Sequence, residues 1–261
     1  MSLDAADITV KLGRTPILHG IGFCAKPGEV SAIVGPNGSG KTTLLRAITG
    51  DLPFDGTVRL NGKDTSRMKP WELSAIRAVL PQSAVLAFPF TVAEVVRLGV
   101  QAGVCARDCD APMAALSQVR LAHYADRFYH ELSGGEQQRV QLARVLAQVW
   151  RPVVGGAPRW LLLDEPVASL DIANQLEVME ITRAYASAGG GVVAVMHDLN
   201  LTAMFADHLA ILSGGQCLAA GPPEQVMTDA ILSQAYGCAL RVNTPPPHSA
   251  TYVLPHAANR L

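Results

Sequence analysis

The sequence holds no apolar run approaching the ~20 residues an α-helix needs to cross a bilayer. Its opening stretch, MSLDAADITV, carries an acid at Asp4 and lacks the basic start and apolar run of a secretory leader. Charge of one sign is missing as well. The 21 Lys and Arg residues stand against 22 Asp and Glu, a formal net charge of -1, with no block of like charge. That balance argues against a nucleic-acid-binding arm and against a polybasic membrane anchor. There is no paired CxxC spacing among the five cysteines, Cys24, Cys105, Cys109, Cys217 and Cys238, which fits reduced thiols better than disulfides. Cys105 and Cys109 have no second ligand pair with which to hold zinc. No internal repeat is visible. The expectation is a single module that serves a membrane, if at all, from the cytoplasmic side through a partner.

What is present is a core. With 261 residues and 49% hydrophobic content, the chain can bury one large domain or a domain with a subdomain. Ile8 and Val10, then Ile17 to Phe23 around a Gly13-Arg14 turn, predict short antiparallel strands. Glu29 to Val34 is an apolar strand that runs into GPNGSGKTT, after which Leu44, Leu45, Ala47 and Ile48 recur at helical spacing until Gly50. Thr57 to Asn61 and Ala78 to Leu80 predict further strands. From about residue 83 to 150 the pattern is mostly helical, with capping boxes at Thr91-x-x-Glu94 and Ser133-x-x-Glu136. Buried strands at Trp160 to Leu163 and Gly191 to Met196 flank a helix through Val178, Ile181 and Tyr185, and a hairpin over His208 to Ala220 closes the pattern. The tail beyond Arg241, with Pro245 to Pro247, is expected to be extended. Strands alternating with helices imply an α/β fold whose mostly parallel sheet is covered on both faces.

Four segments carry chemistry. Gly35-Pro36-Asn37-Gly38-Ser39-Gly40-Lys41-Thr42 matches GxxxxGK[ST], between a strand and a helix as that motif requires. Its glycines let backbone N–H groups curl around a β-phosphate, Lys41 reaches the β- and γ-phosphates, and the Thr42 hydroxyl is offered to Mg²⁺. Thr43 continues the same helix start. Asp164 and Glu165 end a buried strand, where α/β folds place ligand groups. There Asp164 holds Mg²⁺ through a water and Glu165 polarises an attacking water, although two adjacent carboxylates standing alone also suit a helix cap. His197 ends another strand at the same edge and admits two readings, a hydrogen bond to a γ-phosphate or a histidine satisfied at a strand end. Gln82, after Pro81, is ordinary on its own. Ser133-Gly134-Gly135-Glu136 at a helix N-terminus is a second anion site, with free N–H donors and a hydroxyl. A single ATP seldom needs two such helix ends from one chain, so this segment suits the pocket of another subunit related by two-fold symmetry.

In that order and spacing, Gly35 to Thr42, Gln82, Leu132 to Gln137, Leu161 to Glu165 and His197 resemble the ATP-binding subunits of ABC transporters over nearly the whole chain. The resemblance implies a P-loop NTPase core of about residues 1–82 and 151–240, with an N-terminal antiparallel β subdomain, a helical subdomain at about 83–150 and a tail at 241–261. It assigns Gln82 to the metal and the reacting water, and Ser169-Leu170-Asp171 to a loop that touches the opposite subunit. Leu12 stands where many relatives carry the aromatic residue that stacks on adenine. Thr91 to Gly99, His197 to Asn200 and Gly221 to Glu224 are similar to importers of iron chelates, haem and cobalamin. The Arg151 to Arg159 loop, Arg241 to Asn243 and Val253 to Pro255 are similar to bacterial haemin importers in particular. The resemblance therefore implies a homodimer that binds ATP and Mg²⁺ at the cytoplasmic face of the inner membrane. Its partners would be a dimeric permease and, indirectly, a periplasmic binding protein, with no nucleic acid. A siderophore or cobalamin importer, or a non-transport ATPase of the same family, stays open.

Overall fold

A computed structural model describes residues 1–83, 86, 88–102, 110–245 and 251–255. Cys105, Cys109 and the prolines Pro246 and Pro247 lie outside the described residues. The chain opens with β1 (Leu3–Leu12) and β2 (Thr15–Ala25), paired antiparallel across Gly13-Arg14, with Leu3 facing Ala25 and Leu12 facing Thr15. These strands, expected to be short, run for 10 and 11 residues. Then β4 (Asp55–Leu60) adds to the free side of β1 and the two-residue β5 (Lys63–Asp64) to β4, giving a four-stranded antiparallel sheet.

The second sheet has six strands in the order β12 (Gln216–Gly221), β11 (His208–Ser213), β3 (Val30–Val34), β10 (Gly191–Val195), β9 (Trp160–Asp164), β6 (Arg77–Leu80). All neighbours are parallel except the hairpin β11–β12 at one edge. The fold class read from the sequence is thus met, an α/β architecture with a mostly parallel sheet. Strand side chains alternate between faces. On β9, Leu161 and Leu163 enter one hydrophobic cluster while Trp160 and Leu162 enter another, and on β10 Val192 and Ala194 part from Val193 and Val195 in the same way. That is why these strands read as unbroken apolar runs: both faces are buried. One cluster is roofed by α1 (Lys41–Ile48) and the antiparallel sheet. The other is covered by α3 (Val92–Ala102), α4 (Ala111–Gln118), α5 (Gly134–Gln148) and α6 (Ile172–Ser187), so the helical segment shares its core with the parallel sheet.

Several elements were not read from the sequence. The helix α2 (Pro70–Ile76), its start marked by Pro70 and by Glu72 accepting from the Lys69 N–H at 2.8 Å, has seven residues, too few for a helical period to declare itself. After α7 (Leu199–Phe205) and the β11–β12 hairpin come α8 (Pro223–Val226) and α9 (Asp229–Tyr236), likewise unread. The stretch expected to be a plain loop at Arg151 to Arg159 contains a small hairpin, β7 (Val153–Val154) paired with β8 (Ala157–Pro158). Trp160 is fully buried, and its indole N–H donates to Asn61 Oδ1 at 3.1 Å, while Asn61 Nδ2 donates to the Pro158 carbonyl at 2.9 Å. Replacing this ring by a methyl leaves a cavity and an unmatched acceptor. Trp160→Ala should destabilise the domain by about 3–5 kcal/mol, read as a lower denaturant midpoint with an unchanged slope.

Candidate functional site

The phosphate loop forms because β3 ends fully buried and α1 begins only seven residues later. Within that turn Gly40 is the residue before α1 and takes φ 100, a left-handed conformation costly for any side chain. A Cβ there would also lie 2.5 Å from Leu18 Cδ2 on β2. At the other end of the loop a Cβ on Gly35 would meet the Leu212 carbonyl oxygen at 2.1 Å, so the chain can pass β11 only as glycine. The Lys41 ammonium is buried and donates to the carbonyls of Gly35 at 2.9 Å and Pro36 at 3.0 Å. Burial lowers its pKa, and the carboxylates of Glu165 and Asp164 pull it partly back up. The Ser39 hydroxyl is buried with no hydrogen-bond partner in the structure.

An open depression of about 730 Å³ lies over this loop, lined by Leu12, Ile17, Asn37, Gly38, Gly40, Lys41, Thr42, Thr43, Gln82, Glu165 and His197. Asp164 sits just behind it, sharing a smaller hollow with Thr42 and Gln82. The Thr42 hydroxyl donates to Asp164 Oδ1 at 3.1 Å. A hydroxyl, an amide and one carboxylate are hard oxygen donors of the kind Mg²⁺ accepts when phosphates complete its shell, so these residues fit that ion. Asp164 is only 4% exposed. Burial raises its pKa and the neighbouring Glu165 adds to the rise, whereas the Thr42 hydroxyl, His197 and Lys41 oppose it.

Glu165 has the left-handed φ of 52, unusual for a residue with a side chain. Its N–H donates to the Val195 carbonyl at 3.2 Å and its own carbonyl accepts from Gln138 Nε2 at 3.4 Å. The conformation is thus held from β10 on one side and from α5 on the other. It sends the carboxylate to His197, with Oε1 2.6 Å from Nε2. His197 is therefore paired with Glu165, one more neighbour than the two readings of the sequence supplied.

The remaining candidates stand apart. Ser133, Gly134, Gly135, Glu136 and Asp171 are not among the residues lining the depression. The Ser133 hydroxyl, read as part of a capping box and of an anion site, is engaged. It accepts from the Glu136 N–H at 3.4 Å, which closes a capping box, and Glu136 Oε2 accepts in turn from the Ser133 hydroxyl at 2.7 Å and from the Ser133 N–H at 2.8 Å. These two bonds hold the Glu136 carboxyl below its usual range. Helix geometry leaves the Gly134 and Gly135 N–H groups without intrahelical acceptors, so the donors of this end are backbone rather than hydroxyl. Asp171 caps α6, accepting from the Asn174 N–H at 2.8 Å and from its side-chain amide at 2.7 Å. Two residues of the site were missed. Ile17 adds an apolar wall beside Leu12, legible only once the hairpin is drawn, and Gln138 supports Glu165 from a helix face that no sequence spacing ties to it.

The chain matches the family described as ABC transporter over residues 18–168. It is 65% identical to a protein of Jannaschia sp. (strain CCS1) named Hemin import ATP-binding protein HmuV, over 99% of this chain and 96% of that one. It is 56% identical to a protein of the same name from Ruegeria sp. (strain TM1040), over 99% of both chains. Among solved structures, an ATP-binding cassette of an ABC transporter in its ADP conformation superposes with a TM-score of 0.75 at 25% identity, covering 90% of this chain and 98% of that one.

The raised pKa of Asp164 has a consequence for stability. Folding favours its protonated form, so the cost of holding the carboxylate is absent below the ordinary carboxylate range and complete above the raised value. At neutral pH, Asp164→Asn should therefore raise the Tm of the ligand-free protein. The advantage should fade as the pH is lowered through that window. A scan of Tm against pH for both proteins checks the sign.

Proposed function

The chain belongs to the ABC transporter family, and on that premise we propose that it hydrolyses ATP to drive haemin uptake, working as a pair of identical subunits on a membrane permease. One observation carries the pairing: the phosphate loop and the Ser133 to Glu136 helix end do not line one depression on the single chain. Two-fold symmetry lets each subunit supply the missing helix end to the other, closing two equivalent sites. The haemin assignment is supported by the printed names of the relatives at 65% and 56% identity over nearly full length. Among the described residues no helix is long and apolar enough to cross a membrane. Work at the inner membrane then falls to a peripheral subunit on the cytoplasmic face, bound to a permease dimer that receives substrate from a periplasmic binding protein.

The residues divide the chemistry as follows. Backbone N–H groups of Asn37 to Thr43 and the Lys41 ammonium receive the phosphates, with the adenine against the aliphatic wall of Leu12 and Ile17. Mg²⁺, when bound at Thr42, Gln82 and Asp164, supplies positive charge to the phosphate oxygens. Glu165 orients a water for in-line attack on the γ-phosphorus and takes up its proton. The new P–O bond forms as the bond to the bridging oxygen breaks, giving ADP and inorganic phosphate. His197, 2.6 Å from the Glu165 carboxylate, fixes that carboxylate and turns its own polar edge to the γ-phosphate. Gly134 and Gly135 of the partner subunit close over the same phosphate through their N–H groups.

Glu165→Gln keeps the shape and removes the base. Turnover should fall by on the order of 10²–10⁴ while ATP still binds, so that a nucleotide-dependent dimer accumulates on gel filtration. Near-normal turnover would remove Glu165 from the role of base. The substrate is tested with the permease co-purified in lipid, adding binding proteins loaded with haemin, a ferric siderophore or cobalamin. Selective stimulation of ATP hydrolysis by the haemin-loaded protein is expected. Stimulation by one of the others alone would replace haemin with that ligand.

A further inference from the structure

The turn after α4 carries a residue that the local backbone does not favour. The Leu121 N–H donates to the Leu116 carbonyl at 2.8 Å and the Arg120 N–H to the Ser117 carbonyl at 3.1 Å, which is the double closure of a helix end whose left-handed position usually holds glycine. Here that position is Arg120, at φ 55. A side chain at such a position is strained, and what the arginine adds lies across the fold. Its Nε is 2.8 Å from Glu177 Oε1 on α6, and the Glu177 side chain is only 11% exposed. The Arg120 side chain is 64% exposed, so the pair contributes little stability of its own, and what it supplies is a tie between this turn and α6. The same turn is tied to α5, because Arg139 Nη1 donates to the Val119 carbonyl at 3.2 Å. Arg139 is one turn beyond the Ser133 to Glu136 segment, and α6 is capped by Asp171, six residues after Glu165.

We propose that Arg120 is a positioning residue: with Glu177 it forms a strut that holds the first turn of α5, and so the helix end offered to the partner subunit, at a fixed height against the loop carrying Glu165. The inference rests on the two-subunit reading above. The first turn of α5 already meets that loop at two places, the Gln138 bond to the Glu165 carbonyl and the close approach of Gly135 to Leu170, where a Cβ would lie 3.2 Å from Cδ2. Both are one-point contacts at the exposed start of a helix whose later turns are packed in the core against α3, α4 and β6. The ion pair adds a further tie, from the turn that Arg139 of α5 holds to α6. The cleft between α4–α5 and α6, about 500 Å³ and lined by Leu146, Trp150, Ile181 and Tyr185 beside the pair, leaves room for this turn to shift once the strut is cut. Because each helix end serves the partner's site and each Glu165 its own, the strut fixes the geometry of one site relative to the other.

Arg120→Gly tests this without breaking the turn, since glycine fits φ 55 better than arginine does. Glu177→Gln removes the charge from the other end, and Arg120→Lys keeps a cation within reach. Two readouts are needed. In the isolated protein, amide hydrogen exchange of residues 137–140 should quicken roughly tenfold in Arg120→Gly and Glu177→Gln, and Arg120→Lys should restore most of the protection. In the assembled transporter, kcat should fall roughly tenfold with KM for ATP little changed, because the phosphate loop is untouched while the partner's helix end is misplaced. The Tm of Arg120→Gly should equal or exceed that of the parent, which separates positioning from mere stability. Parental exchange in Arg120→Gly, or quickened exchange with parental kcat, overturns the proposal. An assembled parent that shows no ATP hydrolysis sinks the functional reading instead, and the exchange data then decide the strut alone.

Discussion

A parallel strand buried on both faces can present polar groups only where it leaves the sheet, and the whole site follows from that constraint. In the parallel sheet, β6, β9, β10 and β3 are neighbours in register, with Leu80 opposite Leu163, Asp164 opposite Val195 and Val195 opposite Ile33. Their carboxyl ends therefore fall on one line. Gln82, Asp164 with Glu165, His197 and the loop beginning at Gly35 each lie within two residues of a strand's last residue. None of these side chains needs a special device to find the others, because the apolar packing behind them sets their spacing. The antiparallel sheet adds the one apolar wall that the edge lacks, through Leu12 and Ile17.

The second half of the machinery obeys a different rule. The Ser133 to Glu136 end belongs to a helix packed in the cluster beneath the parallel sheet's other face, where α5 lies against α3, α4 and β6. The capping box that makes it a well-formed helix start uses the serine hydroxyl and lays a carboxylate beside it. Under the proposed function, a phosphate arriving at that end would meet backbone N–H groups and compete with Glu136 for the Ser133 hydroxyl. The segment thus combines a stable local fold with a modest hold on its ligand, a combination suited to a site that must open again after each turnover.

Legibility in the sequence followed the length and period of each signal. Trp160 to Leu163 and Gly191 to Met196 declared a doubly covered sheet because burial on both faces forces unbroken apolar residues, and the phosphate loop was readable because its glycines answer to specific contacts with Leu18 and Leu212. The helices α2 and α8 and the β7–β8 hairpin are too short for a period to announce them, whereas α9, as long as α1, went unread. Other features depend on partners far away in the chain. The left-handed backbone of Glu165 is maintained by Val195 and Gln138, and the pairing of Glu165 with His197 spans 32 residues. The capping box at Ser133 and Glu136 was legible from its spacing, whereas the bond from the serine hydroxyl to the Glu136 carboxylate was not.

Two charges near the centre of the site are held in forms their surroundings disfavour. Burial pushes the pKa of Lys41 down and that of Asp164 up, so each is pressed toward neutrality. They do not relieve one another by direct contact, since the Lys41 ammonium is turned to the Gly35 and Pro36 carbonyls and Asp164 to the Thr42 hydroxyl. A polyphosphate offers Lys41 the anion it lacks, and the divalent cation that accompanies it offers Asp164 the positive charge it lacks. Neither ligand alone satisfies both residues. Under the proposed function, the electrostatics of the folded chain therefore favour a polyphosphate and its cation arriving together.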